Sequence, residues 1–112
     1  MGDNTEQTTL AGNIKTKVVN MNGEYGDDVV RIDRSTQFGN KFRLKKDGGE
    51  YSREESIQAY RKWFLNKIKS DVNFRKSVEE LRGETLGCWC KPQPCHGDVI
   101  VEYLDVQSGE QN

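Results

Sequence analysis

Two helical stripes set between strand-like runs constrain this chain more than any other feature of its sequence. Ser52, followed three residues later by Glu55, makes a capping box in which hydroxyl and carboxylate each satisfy a backbone N–H at a helix start. Behind it Ile57, Tyr60, Phe64 and Ile68, with Trp63, recur at helical spacing and predict a helix over residues 53–69. Ser70-Asp71 supplies a new N-cap, Phe74, Val78 and Leu81 form a second stripe, and Gly83 falls where a glycine stops a helix. Residues 14–20 and 28–33 read as strands before this pair, with Asn22-Gly23 and Gly26 marking the turn between them. Residues 85–90 read as a short strand after it, and residues 99–106 as a last helix with Val99, Tyr103 and Val106 on one face. Residues 34–40 form a polar loop, and a short extended piece at 42–44 leads into the turn Asp47-Gly48-Gly49. A strand reaching another through a helical crossover is normally parallel to it. The expected fold is therefore a small single α/β domain, a three- or four-stranded sheet with about three helices in the order β-β-(β)-α-α-β-α. It covers residues 13–106, between flexible tails at 1–12 and 107–112.

Such a domain has little to bury. Leu, Ile, Val and Phe make up 24 of 112 residues, close to the level at which chains stop folding. The net charge of -1 gives none of the self-repulsion that disorder also requires. Small domains often draw on a metal, disulfides or a partner. All three cysteines, however, fall within residues 88–95, too close together to staple distant segments, which excludes a secreted disulfide scaffold. No run approaches the roughly 20 apolar residues that span a bilayer, and no apolar signal region follows Met1. Glu6 stands where myristoylation of Gly2 wants Ser or Thr. The expectation is a cytoplasmic protein without membrane association.

Charge is unevenly spread. Residues 31–82 hold 14 basic and 8 acidic residues, whereas the remainder holds 3 and 10. Between residues 31 and 46 the cations Arg31, Arg34, Lys41, Arg43, Lys45 and Lys46 face only Asp33, with Phe38 and Phe42 interleaved. Cations beside aromatic rings suit a ligand with phosphates and bases. The plain alternative is a solvated surface with two phenylalanines tucked beneath it.

The run from Gly87 through Cys88-Trp89-Cys90 to Pro94-Cys95-His96-Gly97-Asp98 holds every cysteine and the single histidine. Cys88, Cys90, Cys95 and His96 are a sufficient ligand set for a tetrahedral zinc ion, and a thiolate-rich iron–sulfur cluster could use the same inventory. The C-x-C-x4-C-H spacing departs from the paired C-x2-C of common zinc knuckles, and adjacent Cys95 and His96 would struggle to reach one ion. A second reading places Cys95 near a helix N-terminus, where a thiolate or a phosphate is stabilised, with His96 and Asp98 as base or orienting group. The third is structural: Cys88, Trp89 and Cys90 as core residues ending a strand, and Cys95 as a small buried filler.

These residues carry a resemblance. Residues 81–90, then Pro94-Cys95-His96-Gly97-Asp98-Val99-Ile100, are similar to the closing CWC…PCHGD signature of domain-of-unknown-function family 4326 of phages and microbes. Val18-Val19-Asn20, Val30 through Arg34-Ser35-Thr36 to Phe38-Gly39-Asn40 and Phe42, and Tyr60-Arg61-Lys62-Trp63 resemble its opening half. Where the family usually reads Gly-Asn-Pro-Phe, this chain has Gly39-Asn40-Lys41-Phe42, a more basic and less rigid loop. The resemblance implies a compact α/β fold and no established activity. It marks Arg34, Ser35, Thr36, Gly39 and Asn40, and Cys88, Cys90, Cys95, His96 and Asp98, both groups following expected strands.

If those strands are parallel neighbours, both loops open at one sheet edge, where open α/β sheets bind ligands. The leading expectation is a domain that binds a nucleotide or nucleic-acid-derived ligand, with processing of that ligand left open. Arg34, Ser35, Thr36 and the Gly39-Asn40 backbone would hold phosphate or ribose; Cys95, His96 and Asp98 would supply chemistry. The competing class is a zinc-stabilised interaction module without catalysis.

Overall fold

Local rules set the two central helices. In the computed structural model, which describes residues 15–22, 28–91 and 93–109, helix α1 runs Arg53–Ser70 and begins with the complete Ser52/Glu55 capping box. Asp71 ends α1 and caps α2, Val72–Glu79, by accepting the N–H of Phe74 at 3.0 Å. Gly83 then adopts a φ of 83°, a left-handed conformation that costs glycine nothing, and its N–H donates to Thr16 Oγ1 at 2.7 Å. The expected N-terminal tail at 1–12, Ile14, the turn glycines Gly23 and Gly26, Pro92 and residues 110–112 lie outside the described residues.

Strands β1 (Lys17–Asn20), β2 (Val29–Arg31) and β3 (Thr85–Cys88) form one three-stranded sheet in the order β1-β3-β2. Both pairings are parallel, with Val18 opposite Leu86 on one side and Val30 opposite Leu86 on the other. The extended piece at 42–44 is not a fourth strand. Leu44 makes a single bridge to Tyr51, around a 3₁₀ turn at Lys45–Asp47 in which Gly48 takes a φ of 87°. Helix α3 runs Gly97–Gly109, longer at both ends than the apolar stripe predicts, and packs on β1 and α1. The molecule is thus an α/β domain of three strands and three helices among the described residues.

The thin core is filled with rings. Phe74 meets Phe38, Trp63 and Phe64 at centroid distances of 6.0, 5.7 and 5.9 Å, and Phe64 also meets Tyr60 and Tyr103 at 5.8 and 5.6 Å. Aromatic pairs in tilted or edge contact contribute about 0.5–1.5 kcal/mol beyond burial of their area. Leu86, Ile32, Ile100, Val99 and Leu104 complete the core between sheet and helices. The Tyr60 hydroxyl does not stay unpaired in this setting: it donates to the carbonyl of Phe38 at 2.8 Å. Among the described residues no helix is long and apolar enough to cross a membrane.

Candidate functional site at the carboxyl edge of the sheet

β2 and β3 are adjacent and parallel, so the loops that leave them open on the same edge. The first begins at Asp33, whose carboxylate organises it. Asp33 Oδ1 accepts the Ser35 N–H at 3.1 Å and the Ser35 hydroxyl at 2.5 Å, while Oδ2 accepts Arg31 at 2.6 Å. Thr36 adds a hydroxyl bond to the Asp33 carbonyl at 3.0 Å and receives the Phe38 N–H at 3.2 Å. Gly39 closes the loop against its own beginning: a Cβ there would lie 2.5 Å from the Arg34 Cα and the Asp33 carbonyl oxygen, which no side chain can do. Asn40 anchors the far end, accepting the Phe42 N–H at 2.9 Å and donating to Ser56 Oγ at 2.8 Å; Ser56 in turn donates to the Phe42 carbonyl.

The second loop follows Cys88 and returns to α3. Asn20, at the end of β1, holds it by donating to the carbonyls of Lys91 at 2.5 Å and Trp89 at 3.4 Å. Arg53 at the start of α1 donates to the Pro94 carbonyl at 3.2 Å and also reaches the Cys90 thiol. Asp98, in the first turn of α3, accepts the Cys95 N–H at 3.0 Å and pairs with Lys91 at 2.6 Å. Desolvation works against the Lys91 charge, but the Asp98 carboxylate outweighs it and raises the amine's proton affinity. At Gly97 a Cβ would meet Ile32 Cδ1 at 2.8 Å and Val18 Cγ2 at 2.9 Å, so glycine lets α3 approach the sheet at this point.

Two bonds join the loops. His96 Nε2 lies 2.6 Å from the carbonyl oxygen of Ile32, and Trp89 Nε1 donates to Asp33 Oδ2 at 3.0 Å. Burial holds His96 below the ordinary imidazole range, and the Arg34 guanidinium acts in the same direction, so the neutral ring donates to Ile32. Burial opposes the charge on Asp33, yet donation from Ser35, Arg31 and Trp89 prevails and keeps its carboxyl far below the usual carboxylate range.

The sulfurs of Cys88 and Cys95 stand 3.1 Å apart, and Cys95 Sγ receives the Gly97 N–H at 3.3 Å. The Cys88 contact favours a negative Cys95 sulfur, which lowers its pKa against the cost of burial. At Cys88 hydrogen bonding with Cys90 pulls the thiol down, but the Cys95 contact and burial prevail and move it up; Cys90 moves up as well, by hydrogen bonding to Cys88 and by burial. His96 uses its Nε2 on the Ile32 carbonyl. Among the described residues no group of three or more Cys, His, Asp and Glu is arranged to hold a metal ion.

Of the residues singled out in sequence, Ser35, Thr36, Gly39 and Asn40 shape and brace the first loop, and Arg34 stands on its exposed face. Arg34 makes no hydrogen bond or ion pair with a described residue. Cys95 and His96 are buried inside the second loop. Trp89 corrects its structural reading: it is 51% exposed, not core. Asp33 was missed as an organiser. Its signal was the Asp-x-Ser spacing, in which a carboxylate turns back on the N–H two residues later.

A small parallel α/β domain with two cross-bonded loops on the carboxyl edge of its sheet is the class this geometry defines. The chain belongs to the family described as "Domain of unknown function (DUF4326)", whose pattern matches residues 15–106. It is also similar to the "Uncharacterized 12.4 kDa protein in nrdA-td intergenic region" of Enterobacteria phage T4. The two are 45% identical over 76 residues, 68% of this chain and 67% of the phage protein. No solved structure matches it.

Proposed function

We propose that this domain binds a nucleotide or a nucleic-acid-derived ligand at the carboxyl edge of its sheet. The observation that carries the reading is the Trp89–Asp33 bond, which ties a half-exposed indole to the residue preceding Arg34, a guanidinium with no hydrogen bond or ion pair to a described residue. A ring whose edge is tied down offers a face for a base, and an exposed guanidinium offers a fork for phosphate. Cys95, His96 and Asp98 act in this reading as positioning residues. Each is engaged by a neighbour, Gly97 on the sulfur, Ile32 on the ring and Lys91 on the carboxylate, and together they hold the second loop against the first.

Amide shifts followed on titration with nucleoside mono- and diphosphates test the proposal. The expected response clusters at residues 33–40 and 88–98. Trp89→Ala should weaken binding roughly 5- to 150-fold, the range that follows from about 1–3 kcal/mol per stacked base. Arg34→Ala should weaken it roughly tenfold or more, as loss of a charge-assisted hydrogen bond does, with the fold retained. No clustered response at millimolar nucleotide would sink the reading.

A further inference from the structure

The paired sulfurs are buried, and their placement points to chemistry of their own. Cys88 ends β3 and Cys95 immediately precedes α3, and the two buried Sγ atoms are 3.1 Å apart as free thiols. A disulfide bond is about 2.0 Å long, so side-chain movement of about 1 Å closes the gap. The Gly97 N–H aimed at Cys95 Sγ from the start of α3 receives negative charge on that sulfur. Cys90, less buried and bonded to Cys88, is the third thiol and stands outside the close pair.

We propose that Cys88 and Cys95 are a reversible dithiol pair that hydrogen peroxide converts to a disulfide. Peroxide is close to water in size and suits a pair that larger oxidants cannot touch. Cys95 Sγ, having lost its proton, attacks one peroxide oxygen; the O–O bond breaks, a sulfenic acid forms, and the departing hydroxide takes up that proton as water. Cys88 then loses its proton and attacks the Cys95 sulfur. The S–S bond forms, the S–O bond breaks, and hydroxide leaves with the Cys88 proton as a second water. Two thiols are oxidised by two electrons while one peroxide is reduced to two waters. A dithiol reductant reverses the bond by exchange. The disulfide would tie the end of β3 to the start of α3 and close the segment carrying Trp89 into a ring.

The test uses the full chain, peroxide quenched by catalase, then unfolding, alkylation with iodoacetamide and intact-mass and fragment analysis. The expected product has lost two hydrogens and carries a single alkyl group, on Cys90, where the reduced protein with its three free cysteines carries three. Dithiothreitol restores all three. Cys90→Ser should still lose both remaining thiols, a reading that does not depend on variants of the buried pair folding. Retention of every thiol, an alkyl group on Cys88 or Cys95, or a stable gain of oxygen in place of the disulfide would each overturn the proposal. None of these readouts involves a nucleotide, so they stand apart from the ligand reading.

Discussion

Among the described residues His96 is one of three buried polar or charged ones, with Thr16 and Ser56, and its ring is held by one carbonyl. Burial keeps its ring neutral, prevailing over the Ile32 carbonyl that favours the proton, and makes the folded chain reluctant to take a proton that the unfolded chain accepts freely. Its contribution to stability is therefore complete above the ordinary imidazole value and is lost as pH falls through and below it. Urea unfolding at about pH 7.5 and about pH 5.5 should show the wild-type midpoint falling with acid, and His96→Gln, which keeps a donor for Ile32, should show a smaller fall. An equal fall in both proteins would remove His96 from the account. The chain's own text disclosed His96 as unusual but not what it bonds, because Ile32 is brought to it only by the pairing of β2 with β3. The same holds for Asp33: its turn with Ser35 is local and legible, whereas the Trp89 indole arrives from another loop.

At the level of elements, what was legible was what local chemistry decides. The capping box, the Asp71 cap and the Gly83 stop are each settled within a few residues, and α1 and α2 follow from them. Strand order is not local. That β3 enters between β1 and β2 depends on long-range pairing, and the short run at 42–44 turned into a single bridge because the glycine turn beside it folds it onto Tyr51 rather than the sheet. Gly87 shows how tightly the centre strand is held. A Cβ on it would come within 2.6 Å of Val29 Cγ1 and 2.7 Å of Met21 Cγ, side chains flanking the strand on both sides. Gly87→Ala should cost about 1–3 kcal/mol, the usual penalty of overpacking, read as a lowered denaturation midpoint with the slope unchanged. A neutral substitution would mean that Met21 and Val29 yield more readily than a packed strand allows.

Across the whole molecule, near-neutrality conceals a positive middle and negative flanks, and the first loop of the site lies in the positive part. An anionic ligand held there should bind less tightly as salt rises, because exposed charges are screened beyond about 10 Å at 0.1 M ionic strength. Kd for a nucleoside diphosphate should increase several-fold between low and high potassium chloride, and Arg34→Ala should flatten that dependence; a salt-independent Kd would argue against a phosphate contact. The topology carries a different consequence, for synthesis. β3, on which both other strands depend, is also the last to be made: Lys17 and Val29 each wait for Thr85. On a ribosome the two helices can form early, while both edge strands stay without a hydrogen-bonding partner until residues 85–88 emerge. A chain cut short before that point lacks the strand that both others pair with, and so has neither sheet nor closed core to resist proteases.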